Sequence, residues 1–287
     1  MTLATFVPQP PHPFAVLASD LRFTNMGQPG TIWVISAIHS DADRLIAAHD
    51  HLYNRISPGD RILYTGNMTG YGPSPIETLD ELLIFRRGIL ALPGMMPGDF
   101  IYLRGGQEEM WEKLQQIQFA RNPHQVLDWM FSNGVAETLE AYGMQPQDAL
   151  RAAGEGVMAM TKWTAHLRRS ICRYPGHDIF QCQLKRAAYT SLELDSPALF
   201  VHAGTDPSKP LQDQGDTLWW GGRMFDHIET PCFPFCRVIR GFDPEHGGLR
   251  ASGSGYAVTL DSGCGFGGSL TCAGLNSAGE VLEISGF

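Results

Sequence analysis

Short apolar runs bounded by turn residues alternate with longer stretches of helical period along the first third of the chain. Thr31-Ile-Trp-Val-Ile-Ser36, Arg61-Ile-Leu-Tyr-Thr-Gly66 and Phe100-Ile-Tyr-Leu-Arg104 read as buried strands. Between the first two, Asp41 to about Ile56 sets Leu45, Ile46, Ala48 and Leu52 at helical spacing and stops at Pro58-Gly59. A second helix is predicted from about Ile76 to Leu92 on Leu79, Leu82, Leu83 and Phe85. From Glu108 to about Leu194 the pattern is nearly all helical, broken at Asn122-Pro123, Gly143 and Pro175-Gly176. Strands then resume at Ala198 to Ala203, Cys236 to Arg240, Tyr256 to Leu260, Ser269 to Leu275 and Val281 to Ile284. Residues 1–30 carry Pro, Gly and Asn and read as an arm on the surface. Alternating β and α units followed by clustered strands predict an α/β layered protein. One domain over 31–287 is expected, with residues 108–195 as a helical insertion, because the strand pattern resumes after them.

Composition adds what the chain does not do. Its 287 residues are 43% apolar and 18% charged, enough to bury a core. The net charge is −9, with nine basic against 16 acidic residues up to residue 150 and 12 against 14 afterwards. Neither half is basic, so no general nucleic-acid or anionic-membrane binding is expected. No apolar run approaches the ~18 residues of a membrane span. No basic residue precedes Arg22, so a secretory signal is not expected and a cytoplasmic location is. All six cysteines fall in the second half, and Cys232-Phe-Pro-Phe-Cys236 is the one close pair. Structural zinc wants four ligands, so ordinary reduced thiols are expected.

Familiar motifs fail on context. Gly263-Cys-Gly-Phe-Gly-Gly268 satisfies G-x-G-x-x-G by count, but a strand-like segment follows where a dinucleotide site needs a helix. No phosphate-binding loop, H-E-x-x-H or G-x-S-x-G is present. His49 and His51, two apart on a helix, point to different faces and read as solvated side chains.

The informative residues sit in turns at the carboxyl ends of strands, where a layered α/β fold places its site. These are Ser36-Ala-Ile-His-Ser40, Gly66-Asn-Met-Thr-Gly-Tyr-Gly-Pro73, Leu103-Arg-Gly-Gly-Gln-Glu108, Val201-His-Ala-Gly204 and Arg240-Gly-Phe-Asp-Pro244. In that order they resemble the signatures of the calcineurin-like metallophosphoesterases: GD-x-HG, GD-x-x-DRGP, LRGNHE, VHAG and GH-T. The resemblance is to the branch of bacterial Ser/Thr protein phosphatases and diadenosine tetraphosphate hydrolases. Leu260-Asp-Ser-Gly-Cys-Gly-Phe-Gly-Gly-Ser-Leu-Thr-Cys-Ala273 echoes that family's tail, LDTGC-x-x-GG-x-LTA, and Asp216-Thr-Leu-Trp-Trp220 falls where the family carries D-x-LLW. The likeness spans about residues 31 to 284 and implies a four-layer αββα sandwich.

A family site of this kind holds two divalent ions ~3.5–4 Å apart, which neutralise the phosphoester and generate a hydroxide nucleophile. A histidine then protonates the leaving oxygen. Carried over residue by residue, the resemblance implies a degenerate site. The first aspartate ligand is Ala37, the bridging aspartate Asn67, the asparagine ligand Gly106 and the fifth-motif histidine Phe242. The position of the catalytic histidine is Gln107, and Gly70-Tyr71 replaces an Asp-Arg pair. Only His39 and His202 match, and they are the residual metal candidates, with Asp41, Asp243 or His246 as helpers. Arg104 and Arg223 are possible anion binders; Glu108 supports its turn, Asp43 solvates or caps a helix, and Trp219 and Trp220 belong to the core. Losing carboxylates that face divalent ions removes several kcal/mol of attraction in a dry site.

The expectation is a pseudophosphatase without a cofactor, acting by binding a partner protein or a phosphorylated small ligand. The alternative is an active hydrolase of phosphoprotein or nucleotide phosphoesters with a remodelled site, holding Mn, Fe or Zn at reduced occupancy.

Overall fold

The computed structural model describes residues 17, 19–221, 224–246 and 248–287. Two sheets form its centre. The first has five strands in the order β11-β10-β2-β3-β4, where β2 is Ile32–Ile35, β3 Arg61–Tyr64, β4 Phe100–Tyr102, β10 Thr271–Leu275 and β11 Val281–Gly286. Strands β2, β3 and β4 run parallel, and β10 is antiparallel to both β2 and β11. The second has six strands in the order β1-β5-β6-β7-β9-β8. These are Phe23–Asn25, Ala187–Tyr189, Ala198–Val201, Arg237–Arg240, Ala257–Thr259 and Arg250–Ala251 respectively. Within it β6, β7 and β9 are parallel.

The strands are apolar on both faces because both faces are covered. Ile32, Val34, Leu63 and Ile101 of the first sheet share one buried cluster with Ala188, Ala198, Phe200 and Ile239 of the second, so the sheets pack face to face. The alternate residues Trp33, Ile35, Ile62 and Tyr64 point outward under two helices, α1 (Ala42–Tyr53) and α2 (Pro75–Leu90). Asp41 caps α1 by accepting the Arg44 N–H at 3.1 Å, and Pro75 opens α2. On the outer face of the second sheet, Leu199, Val201 and Val238 meet Leu218, Trp219 and Phe225. That outer layer includes the four-residue helix Thr217–Trp220.

Between β4 and β5 lie five helices with a core of their own: α3 (Gly106–Leu114), α4 (Pro123–Met130), α5 (Ala136–Ala141), α6 (Pro146–Glu155) and α7 (Val157–Ile171). Among the described residues, two short helices follow, α8 (His177–Phe180) and α9 (Thr217–Trp220).

Several sequence expectations are corrected. The helical stretch does not run to Leu194, because β5 occupies Ala187–Tyr189 and pairs with β6 and β1. Part of the supposed surface arm is the edge strand β1; its other residues up to 16, and residue 18, lie outside the described residues. Neither Phe23-Thr-Asn25 nor Ala187-Ala-Tyr189 offers the four-residue apolar run that marks strands such as β2 and β6. His49 is buried rather than solvated: it contacts Glu81 at 2.5 Å and the Tyr64 hydroxyl at 2.8 Å and stacks on Phe85. Among the described residues, no helix is long and apolar enough to cross a membrane.

Candidate functional site

Parallel strands bring their carboxyl ends to one edge, and the turns that follow β2, β3, β4, β6 and β7 meet there. The main chain binds them together across the two sheets. Ile38 and His39 donate their N–H groups to the Asn67 carbonyl at 3.0 and 2.8 Å, and Ala37 donates to the Gly241 carbonyl at 3.0 Å. Gly241 and Phe242 both donate to the His202 carbonyl, at 3.2 and 3.0 Å. His39, Ser40 and Asn67 have φ of 52°, 60° and 52°, the left-handed region that residues with a Cβ enter at a cost.

The buried Glu108 side chain holds this backbone in place. Its carboxylate accepts N–H bonds from Asn67, Met68 and Gly105, each at 2.8 Å. Burial pushes its pKa up while the three N–H dipoles oppose that shift. Three donors aimed at one carboxyl group are the arrangement that suits the anion, so we assign it as ionised. Gly105 permits the close approach: a Cβ there would lie 2.4 Å from Asn67 Oδ1 and 2.7 Å from His202 Cε1.

The side chains in the cleft form a neutral aromatic cluster. His202 is fully buried, and its Nδ1 lies 2.7 Å from the Thr65 carbonyl. A carbonyl only accepts, so Nδ1 carries the proton and Nε2 is a bare lone pair, with no partner. Asn67 Oδ1 accepts the Gln107 N–H at 3.0 Å, which turns its NH2 toward His39 Nε2, 3.4 Å away. His39 Nδ1 is likewise buried without a partner. Burial, with smaller contributions from His202 and His246, lowers the His39 pKa to about 3. Burial lowers that of His202 to about 4 against the opposing Thr65 bond. Both rings are therefore neutral at pH 7.

Phe242 touches both imidazoles. Its ring stacks on His202, with centroids 5.1 Å apart and planes 7° apart, and meets His39 edge-on at 5.5 Å. Phe266 and Tyr71 also contact His39, at 5.1 and 5.5 Å, and contact each other at 4.9 Å.

No family model and no curated protein matches the sequence. Solved structures do. One of a protein assigned as a diadenosine tetraphosphatase superposes with a TM-score of 0.55 at 16% identity, covering 92% of this chain and 97% of that one. A protein serine/threonine phosphatase from Saccharomyces cerevisiae, described as similar to human phosphatase PP5, gives 0.50 at 15%, covering 92% and 82%. A cold-active protein tyrosine phosphatase gives 0.50 at 10%, covering 92% and 81%. This chain has the calcineurin-like metallophosphoesterase fold.

A metallophosphoesterase-type binuclear centre does not fit the residues in this cleft. Two ions need anionic ligands, at least one of them bridging. Here Ala37 and Gly106 offer no side-chain donor, and the Asn67 amide presents N–H groups to His39. Phe242 supplies a hydrocarbon ring in contact with both remaining imidazoles. Among the described residues, no group of three or more His, Cys, Asp or Glu is arranged to hold a metal ion.

The other sequence-derived positions are engaged elsewhere around the cleft. Gln107 donates through Nε2 to the Asn133 carbonyl at 2.7 Å, tying the cleft to the inserted helices. Arg104, read as a possible anion binder, gives its NH1 to Glu109 at 3.0 Å and to Glu112, so its charge is already compensated. Arg223 lies outside the described residues. Asp41 is the α1 cap, and Asp43 is exposed in that helix's first turn. The His246 loop does fold back, but its ring packs on Phe266 at 4.1 Å and reaches Phe242 at 5.9 Å. Trp219 is buried, whereas Trp220 is 38% exposed and lines a polar cavity.

Three residues lining that cavity, Asp226, Arg240 and Asp243, join a charge network with Arg250 and Asp261, so Asp243, expected as a metal helper, is committed to arginines instead. Asp243 accepts from Arg240 at 3.0 Å and from Arg250 at 2.5 Å, and Asp226 bonds both arginines. Asp261, in the family-like tail, accepts the Asp243 N–H at 2.8 Å. Arg240, Asp243, Arg250 and Asp261 all fall near the fifth turn, but sequence spacing gives no sign that their charges pair. Phe266 stood inside the recognised tail with no role attached to it.

Proposed function

We propose that this protein is a pseudophosphatase: a phosphoesterase scaffold that no longer hydrolyses phosphoesters and acts by binding a partner protein or a phosphorylated ligand. The observation that carries this reading is the Phe242 ring set against both His39 and His202. Hydrolysis of a phosphoester dianion calls for metal-held charge and a proton donor at the leaving oxygen. This cleft offers two neutral imidazoles, an amide facing one of them and three aromatic rings. The turns around the cleft are tightly held, with positive φ at His39, Ser40 and Asn67 and the Glu108 carboxylate beneath them, which supports a shaped binding cleft.

The test is direct. Purified protein is assayed on p-nitrophenyl phosphate and diadenosine tetraphosphate with excess Mn²⁺, and its metal content is measured by elemental analysis. The expected result is neither turnover nor stoichiometric metal. Turnover that disappears in a His39→Ala/His202→Ala variant would overturn the proposal in favour of a remodelled hydrolase.

A further inference from the structure

Helix α7 carries an unneutralised basic face. Met158, Lys162, His166, Arg169 and, just past the helix end, Arg173 follow each other at spacings of four, four, three and four, and all five are exposed. At about 100° per residue they fall within an arc of about 80°. The opposite face, with Met160, Trp163, Leu167 and Ile171, is buried in the helical core. Residues 156–177 hold four of the 21 basic residues and none of the 30 carboxylates. The rest of the chain therefore carries −13, from 17 basic and 30 acidic residues.

Nothing inside the protein uses these charges. Among the described residues, Lys162, His166 and Arg173 have no side-chain hydrogen bond or ion pair, and Arg169 bonds only the Ala165 carbonyl of its own helix at 3.2 Å. Helix stability accounts for part of the pattern, since cations in a last turn favour the helix dipole. That covers Arg169 and not Lys162, and like charges one turn apart are mildly destabilising. The face borders an open groove of about 470 Å³ lined by Lys162, Trp163, His166, Arg169 and Arg173. Trp163 brings a buried indole N–H with no acceptor.

We propose that this face docks an acidic peptide segment of a partner protein. Carboxylates of the segment meet Lys162, Arg169 and Arg173, and an apolar side chain rests on Met158. From Lys162 to Arg173 the stripe is about 17 Å long, at ~1.5 Å of rise per residue. An extended peptide covers that in about five residues, at ~3.3 Å each. A nucleic-acid duplex fits worse: it carries a charge every ~1.7 Å and runs well past the stripe, and the rest of the chain is acidic at −13. The surface is separate from the cleft, so the inference stands whether or not the cleft is catalytic.

The probe is a fluorescein-labelled peptide of one leucine followed by five glutamates, titrated with the full chain and followed by anisotropy. Saturable binding is expected, weakened at least tenfold in Lys162→Glu/Arg169→Glu/Arg173→Glu and unchanged in Arg87→Glu. The single Arg169→Ser variant, which leaves the fold less disturbed, should weaken binding two- to threefold. Absence of binding by the wild-type chain would overturn the proposal. So would a folded triple variant that binds like wild type, or a DNA duplex that displaces the peptide at equal concentration.

Discussion

The Phe242 ring lies parallel to the His202 imidazole, 7° between planes and 5.1 Å between centroids. The same ring meets His39 edge-on, so one side chain touches both histidines that match the metallophosphoesterase signatures. Each such ring pair contributes about 0.5–1.5 kcal/mol beyond its buried area. Burial of both imidazoles, more than the rings around them, keeps them neutral.

Giving the cleft a metal site should need several changes at once. Ala37→Asp, Asn67→Asp and Phe242→His together are expected to give Mn²⁺ binding by titration calorimetry at least tenfold tighter than wild type. Phe242→His alone should change little, because the Asn67 amide still directs an N–H group at His39. Tight binding by the single variant would show that Phe242 alone keeps the metal out.

Acid should destabilise the fold below about pH 6.5. Burial depresses the pKa of His39 and His202, and also of His49 and His177 in spite of Glu81 and Asp80. The folded state prefers the neutral forms, so below the ordinary value of 6.5 the unfolded chain binds more protons. Stability is complete above that value and falls as pH drops toward the folded pKa values of about 3 and 4 for His39 and His202. Between pH 6 and 4 the slope from these two alone approaches about 2.7 kcal/mol per pH unit. Urea midpoints measured from pH 7.5 to 5 should decline steadily; a flat profile would contradict the buried, neutral assignment.

Glu108→Ala leaves three backbone N–H groups of the cleft without their acceptor. A loss of at least about 3 kcal/mol is expected, since bonds to a charged group contribute ~1.5–3 kcal/mol each. Glu108→Gln, which still offers one good acceptor oxygen, should lose less. Chemical denaturation of both variants gives the comparison, and equal losses would argue against an ionised carboxylate.

Asp243→Asn removes the buried charge that faces Arg240 and Arg250. Breaking a buried pair by removing one partner costs about 3–5 kcal/mol. The double variant Arg240→Met/Asp243→Leu should recover part of that loss, because no unpaired buried charge remains. Denaturant midpoints for the two variants test this, and a double variant less stable than Asp243→Asn would refute it.

From Thr31 to Arg104 the order of strands and helices was legible because apolar runs bounded by turn residues alternate there with stretches of helical period. Trp33 and Ile35 face the helices while Ile32 and Val34 face the other sheet, which reads in sequence as an unbroken apolar run. Strands β1 and β5 were not legible, since Phe23-Thr-Asn25 and Ala187-Ala-Tyr189 are too short to show an alternation or a long apolar run. Their identity as strands rests on pairing with each other, more than 160 residues apart in sequence.

At the cleft, the order of five turns and the tail motif were enough to imply the fold, because the glycines, histidines and the supporting Glu108 stand at fixed places in those turns. Where the turns depart from the signatures they resemble is also visible there: Ala37, Asn67, Gly106, Gln107 and Phe242. Only the tertiary structure decided what these residues do. Phe242 and His202 are 40 positions apart, and no local pattern signals that their rings stack. The same holds for Arg250 and Asp226, and for Asn67 taking its orientation from the Gln107 N–H. Sequence determines local period and the chemistry available at each position. Contact, burial and hence protonation depend on which distant turns the sheets bring together.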